Sequence, residues 1–153
     1  PIAPDETGQS LHDKLAQLGA DLLIEVLDKY LKGEITPIPQ PEEGVTFAPQ
    51  IEKEEGRLNF ESPAIVLERL VRAFTPWPGT YTFWDGKQLK IHRAMLGEGQ
   101  APIGKVIRVG ERVGIGTGDG VFYPLELQLE GKKRVSIDDF VRGYPTFIGT
   151  QLG

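Results

Sequence analysis

The chain has no cysteine, so disulfides, thiolate nucleophiles and cysteine-held metals are excluded. Histidine is nearly absent too. His12 and His92 lie far apart, and neither has a companion at ligand spacing, so no metal site and no histidine-based triad is expected. No apolar run approaches the roughly 20 residues that a membrane helix needs. No basic-then-apolar leader opens the sequence. These absences lead us to expect a cytosolic protein without a membrane partner. The acidic pairs Glu42-Glu43 and Glu54-Glu55 read as solvated surface, and no nucleophile–base set is found, so no catalytic residue is expected here. The chain starts at Pro1 rather than Met, in the stretch PIAPDETGQS, which is expected of a piece of a longer protein.

What is present describes an ordinary globular chain of 153 residues, 39% apolar and 25% charged. The net charge of −5 conceals an asymmetry. Residues 1–61 carry thirteen acids against five bases, a net −8, and residues 62–153 carry nine acids against twelve bases, a net +3. A mildly basic half joined to an acidic half points to an anionic partner for the basic module.

In the first third, Leu11, Leu15, Leu18 and Leu22 recur at helical spacing and are continued by Leu23, Val26, Leu27, Tyr30 and Leu31. Ser10 reads as an N-cap with Asp13 in a capping arrangement, and Gly33 as the C-terminal stop. Gly19 costs a helix interior about 1 kcal/mol, which predicts two helices, Ser10–Leu18 and Ala20–Lys32. The leucine stripe has no evident partner surface in this chain. Residues 33–57 read as an extended linker, because GEITPIPQPEEG holds three prolines in twelve residues. A short strand is predicted over 45–51, and Leu58-Asn59-Phe60 is predicted to be an apolar anchor. A helix is predicted from Ser62 (N-cap) and Pro63 to about Phe74, with Leu67, Leu70, Val71 and Phe74 on one stripe and Glu68 spaced to pair with Arg72.

The chain then turns a corner at Thr75-Pro76-Trp77-Pro78-Gly79. Each proline biases its predecessor away from helical angles, and Gly79 supplies torsional freedom for the swing into a strand. Trp77 is expected to anchor the core from this corner, with stacking on nucleic-acid bases as the alternative. Five strands are predicted: Thr80–Trp84, Lys87–Ala94, Ile103–Val109, Arg112–Thr117 and Val121–Leu129. Asp85-Gly86 forms a hairpin turn between the first two. The glycine-rich GIGTGDG of Gly114–Gly120 resembles a phosphate loop, but strand rather than helix follows it, so it is read as a turn. Ser136 with Asp139 caps a short terminal helix, Ile137–Arg142. The expected fold is mainly β with flanking helices: a small closed barrel over 58–153, preceded by a helical segment and a linker.

The candidate functional set is basic. Lys87, Lys90 and Arg93 lie on one hairpin arm, Lys105 and Arg108 on the next strand, and Lys132-Lys133-Arg134 in a turn near the end. Strict alternation puts Lys87 and Arg93 on one face and Lys90 on the other, unless a bulge intervenes. The turn residues escape that restriction and rank first. The chemistry fits salt-sensitive contact with nucleic-acid phosphates, with a solvated polar face as the alternative.

Taken in order, four stretches resemble the second half of the methionyl-tRNA formyltransferases. They are PIAPDETGQSLHDKLAQLGADLLIEVLDKYLKG, TFAPQIEKEEGRLNF, LVRAFTPWPGTYTFWDGKQLKIHRA and TGDGVFYPLELQLEGKKRVSIDDFVRG. The Arg72–Gly79 corner and the Lys53–Phe60 segment carry the resemblance most specifically. It implies a parent enzyme that moves a formyl group from 10-formyltetrahydrofolate to the amine of methionyl initiator tRNA. It further implies a catalytic domain of Rossmann type whose last helices are residues 1–32, and a C-terminal barrel of the oligonucleotide-binding type that holds the tRNA. The family's folate loop and catalytic Asn, His and Asp would lie upstream of Pro1, leaving this chain with no bound cofactor. A monomer is expected. Amino-sugar formyltransferases and formyltetrahydrofolate dehydrogenases share the layout and stay open as alternatives, as does a module that braces a catalytic domain without touching nucleic acid.

Overall fold

A computed structural model describes residues 1–153. Helix α1 spans Gly8–Leu31 without interruption, so the two predicted helices are one. The physical reason is that Gly19 meets nothing within 4 Å, and a cost near 1 kcal/mol does not break a helix of 24 residues with strong periodicity. The N-cap is Thr7 rather than Ser10: Ser10 N donates to Thr7 Oγ1 at 3.1 Å, and Thr7 N donates back to Ser10 Oγ at 2.9 Å. Gly33 takes φ 73° and closes the helix as expected. No residue of α1 is buried, and Leu15, Leu18, Leu22, Leu23 and Leu27 are exposed.

Residues 34–52 form no helix or strand. The strand predicted over 45–51 is absent; Phe47 is 94% exposed, and no neighbouring strand offers backbone partners. A helical turn at Lys53–Gly56 follows, and Leu58 and Phe60 enter the core, as the anchor reading requires. Helix α2 is Ala64–Ala73, capped one residue later than predicted, by Pro63. Its first amide, Ala64 N, donates to Asp119 O of a distant turn at 2.9 Å, so no side-chain cap is needed. Leu67 and Val71 bury their stripe, while Arg72 grips Glu68 through Nε and Nη2 at 2.7 and 3.1 Å.

The corner stands where the prolines put it. Both X-Pro bonds are cis, and Gly79 has φ 76°. The start of α1 leans on it: Gln9 N donates to Thr75 O at 3.0 Å, and Arg72 Nη1 donates to Glu6 O at 2.8 Å. A Cβ at Gly56 would overlap the Gly79 carbonyl oxygen, so the Lys53–Gly56 turn seats directly on the corner.

Six strands follow: β1 Thr80–Trp84, β2 Lys87–Gly97, β3 Val106–Val109, β4 Arg112–Gly116, β5 Val121–Leu129 and β6 Val135–Ser136. Asp85 and Gly86 both take positive φ, as a tight primed turn demands. Thr117–Gly120 is a turn, with Thr117 Oγ1 donating to the Asp119 and Gly120 carbonyls at 2.8 Å. Helix α3, Ile137–Gly143, carries the predicted cap: Asp139 N donates to Ser136 Oγ at 3.1 Å. Strand β6 was not predicted.

All ladders are antiparallel, in the order β1-β2-β5-β4-β3, with β6 added to β5. The fold is a six-stranded antiparallel sheet mixed with flanking helices, and the sheet does not close into the expected barrel. Edges β1 and β3 do not pair with each other. Instead, Arg57–Pro63 runs from Tyr81 to Asp119, with Leu58 N donating to Tyr81 O at 2.8 Å and Gly118 N to Phe60 O at 2.9 Å. Lys105 bridges to Gln151 beside the other edge. The core within this curl joins Leu67 and Val71 of α2 to Leu89, Ile91, Ile115, Phe122 and Leu127 of the sheet, and to Phe140 and Phe147 beyond it. No helix is long and apolar enough to cross a membrane.

Candidate nucleic-acid interface

Strand β2 buries Leu89 and Ile91 and turns Lys90 outward. Continued alternation would send Arg93 to the core side with Ile91. The ladder with β5 breaks there: Ile91 opposes Leu127, Arg93 opposes Glu126, and Ala94 opposes Pro124. His92 is the extra residue on β2 and Leu125 the extra residue on β5. A bulge that inserts one residue flips the faces beyond it. Arg93 therefore arrives on the outer face with Lys90.

Glu126 stands between two strands and uses both. Arg93 Nη1, from β2, donates to Oε1 at 3.0 Å. Arg134, at the entry to β6, donates through Nε and Nη2 to Oε2. The hairpin into β6 makes this possible: Gly131 takes φ 72°, and pairing of Glu126 with Ser136 brings Arg134 back beside the carboxylate. Burial pushes the Glu126 carboxyl up, but the hydrogen bonds and charges of Arg93 and Arg134 together outweigh it and hold it below the usual range.

His92 lies next to this cluster. Gln128 Nε2 donates to Lys132 O at 3.0 Å, which presents Gln128 Oε1 to His92 Nε2 at 2.9 Å and fixes the Nε2–H tautomer. Burial lowers the imidazole's affinity for a proton. The Gln128 bond and Glu126 oppose that, the Arg134 and Lys90 charges reinforce it, and the net direction is down.

Lys90, His92, Arg93 and Arg134 line a groove of about 1200 Å³, whose other wall includes Lys53, Arg72, Trp77 and Tyr81. Trp77 is 53% exposed there, which overturns its expected role as core anchor. The corner pushes the ring outward, and it is the half-buried Trp84 that packs against the core, its ring meeting Phe140, Tyr144 and Phe147 at centroid distances of 5.6, 5.4 and 5.4 Å. Tyr81 meets Phe83 edge-on, and Arg57 sits 5.5 Å from the Phe83 centroid.

The structure divides the predicted basic set. Lys90, Arg93 and Arg134 share the large groove, whereas Lys87 and Lys132 line a second groove beside Trp84 and Tyr144. Lys133 is exposed on the turn and lines neither. Sequence reasoning missed Glu126, Gln128 and His92 as partners. The outward pair Glu126 and Gln128 on β5, alternating with Leu127 and Leu129, was the available signal.

Comparison with known proteins assigns the chain to a family. Residues 50–145 match the family described as formyl transferase, C-terminal domain, and the chain belongs to that family. Its relatives include the methionyl-tRNA formyltransferase of Myxococcus xanthus, 48% identical over 151 residues, and that of Geobacter sulfurreducens, 44% identical over 155 residues. These alignments cover 98% and 100% of this chain but 48% and 49% of the relatives, so the chain spans about half the length of the curated relatives it matches. The fold also resembles HypX from Aquifex aeolicus (TM-score 0.65, 20% identity, 95% of this chain and 28% of that one). A HypX structure in complex with tetrahydrofolic acid aligns at TM-score 0.58 and 22% identity, over 84% of this chain and 23% of that one.

Proposed function

We propose that this chain is the tRNA-positioning part of a methionyl-tRNA formyltransferase. Residues 1–32 end a catalytic domain, residues 33–57 link, and residues 58–153 hold methionyl initiator tRNA. The parent enzyme transfers a formyl group from 10-formyltetrahydrofolate to the methionine amine and acts as a monomer in the cytoplasm. The amine attacks as the neutral base, and the group that manages its proton belongs to the catalytic part. This chain contributes orientation: binding energy from remote contacts becomes rate when it holds the amine against the formyl carbon. The observation that carries this reading is the outer-face trio Lys90, Arg93 and Arg134 in a domain of this family, lining a groove where Lys53 and the Glu68-paired Arg72 are offset by Asp5, Glu54 and Glu68. The cationic side of that groove, with Arg93 and Arg134 held in place by Glu126, suits phosphate better than it suits a neutral protein surface. The exposed apolar face of α1 fits the catalytic domain as second partner.

The test is binding of initiator tRNA to this chain across a series of salt concentrations. Affinity should fall linearly in log–log form with a slope of at least about −2, since each phosphate contact contributes roughly 0.7–0.9. The chain alone should transfer no formyl group from 10-formyltetrahydrofolate. Salt-independent or absent tRNA binding sinks the proposal in favour of a bracing module, and measurable formyl transfer refutes the division of labour.

A further inference from the structure

We propose that Glu126 is a positioning residue, which locks the Arg93 and Arg134 guanidinium groups side by side as one preformed clamp for phosphate. The inference rests on the tRNA reading above and adds a role for an acidic residue inside a basic face.

Three observations carry it. First, the backbone is spent on the arrangement: two bulged residues, His92 and Leu125, bring Arg93 opposite Glu126, where a regular ladder would have paired Arg93 with Leu125 on the core side. Second, the carboxylate is divided evenly. Oε1 takes Arg93 and Oε2 takes Arg134, so neither arginine displaces the other. Third, the exposure is graded. The Glu126 side chain is 25% exposed, and those of Arg93 and Arg134 are 62% and 47% exposed. The anchor is sheltered while the heads face the groove. A guanidinium has five N–H donors; Arg93 spends one on Glu126 and Arg134 spends two. The remaining donors are free for an anion. Without the carboxylate, two like charges on long side chains would repel each other and sample many rotamers, and a phosphate would have to order both on binding. The neighbouring charge of Lys90 on β2 adds to that repulsion.

The alternative is that Glu126 is only a counter-charge. The two accounts predict opposite signs, because Glu126→Gln removes a negative charge and makes the groove one unit more positive. The experiment measures binding of deacylated initiator tRNA to this chain, in parallel with melting temperature, for Glu126→Gln, Glu126→Asp, Arg93→Ala and Arg134→Ala. Glu126→Gln should weaken binding by about tenfold despite the more positive groove, an effect of the size expected for ordering two long side chains. It should also flatten the salt slope by about one unit. Glu126→Asp, which keeps the charge but draws it back by one methylene, should lose severalfold. In an Arg93→Ala/Arg134→Ala background, Glu126→Gln should cause no further loss, since only an unpaired carboxylate is then removed. Unchanged or tighter binding by Glu126→Gln, with the arginine variants still weakened, overturns the clamp and leaves the tRNA reading intact. If Glu126→Gln does not fold, unchanged affinity of Glu126→Asp overturns it equally. A further loss in the double-arginine background assigns Glu126 a purely structural role and also overturns it. If neither arginine variant weakens binding, the tRNA reading of this groove falls and takes the clamp with it.

Discussion

Trp77 and Trp84 lie seven residues apart and have opposite fates. Trp77 stands between two prolines on an exposed corner, whereas Trp84 packs edge-on to three aromatic rings. Trp84→Ala should therefore cost about 3 kcal/mol or more in urea unfolding, and Trp77→Ala about 1 kcal/mol or less. Equal losses would contradict this packing. The sequence shows that each tryptophan is rigidly placed but not which way it points, because a corner fixes backbone direction and leaves the side of the ring to tertiary contacts. His92 makes a different kind of prediction. Its folded affinity for protons is lowered from the ordinary value of 6.5, so the unfolded chain binds more protons as pH falls through that value. Stability is then fully present well above pH 6.5 and declines as pH drops through 6.5 toward the depressed folded value. His92→Gln should remove that part of the acid-side decline, measured as melting temperature against pH. An identical profile in the variant would show that His92 is not its source.

Among the elements, those governed by local rules were legible. Strands β1 and β5 match their predicted bounds residue for residue, because proline, Asp-Gly and glycine turns bracket them. The α2 stripe and the Ser136 cap follow likewise from spacing and capping chemistry. What was not legible depends on two segments at once. The bulge at His92 has no local signature; it exists because β2 and β5 each carry one extra residue relative to the other. Strand β6 has two residues, too few for alternation to register. Helix α1 was misjudged for an energetic reason, since one glycine does not outweigh the continuous helix around it. That gives a direct prediction. Gly19 lies inside α1 with open space around its Cβ position, so Gly19→Ala should raise helix stability by about 0.5–1 kcal/mol. The measurement is thermal unfolding followed at a helix-specific circular dichroism band. A destabilised variant would imply that another surface approaches Gly19 closely.

At the scale of the whole molecule, the curl of the sheet sorts the basic residues. Lys90, Arg93 and Arg134 meet in the large groove because β2 and β6 flank β5 on either side, while Lys87 and Lys132 lie at the Trp84 end with α3. The sequence identified these residues as a group but ranked the Lys132-Lys133-Arg134 turn as one unit, since consecutive residues in a turn carry no information about which groove each one faces. The division is testable through charge. Lys90→Ala/Arg93→Ala/Arg134→Ala removes three cations next to one carboxylate, a net loss of about two effective phosphate partners. The salt slope for initiator tRNA should flatten by about 1.5–2 units. Lys87→Ala/Lys132→Ala/Lys133→Ala removes the same formal charge from a different part of the surface and should flatten the slope by less than one unit. Both variants should keep the fold, since all six side chains are at least partly exposed and exposed substitutions usually change stability within about 0.5 kcal/mol. Both should weaken initiator and elongator tRNAs alike, because phosphate contacts position without reading bases. Equal flattening by the two triple variants would mean that the RNA backbone crosses both grooves. A larger effect from the second set would move the interface to the α3 end of the sheet.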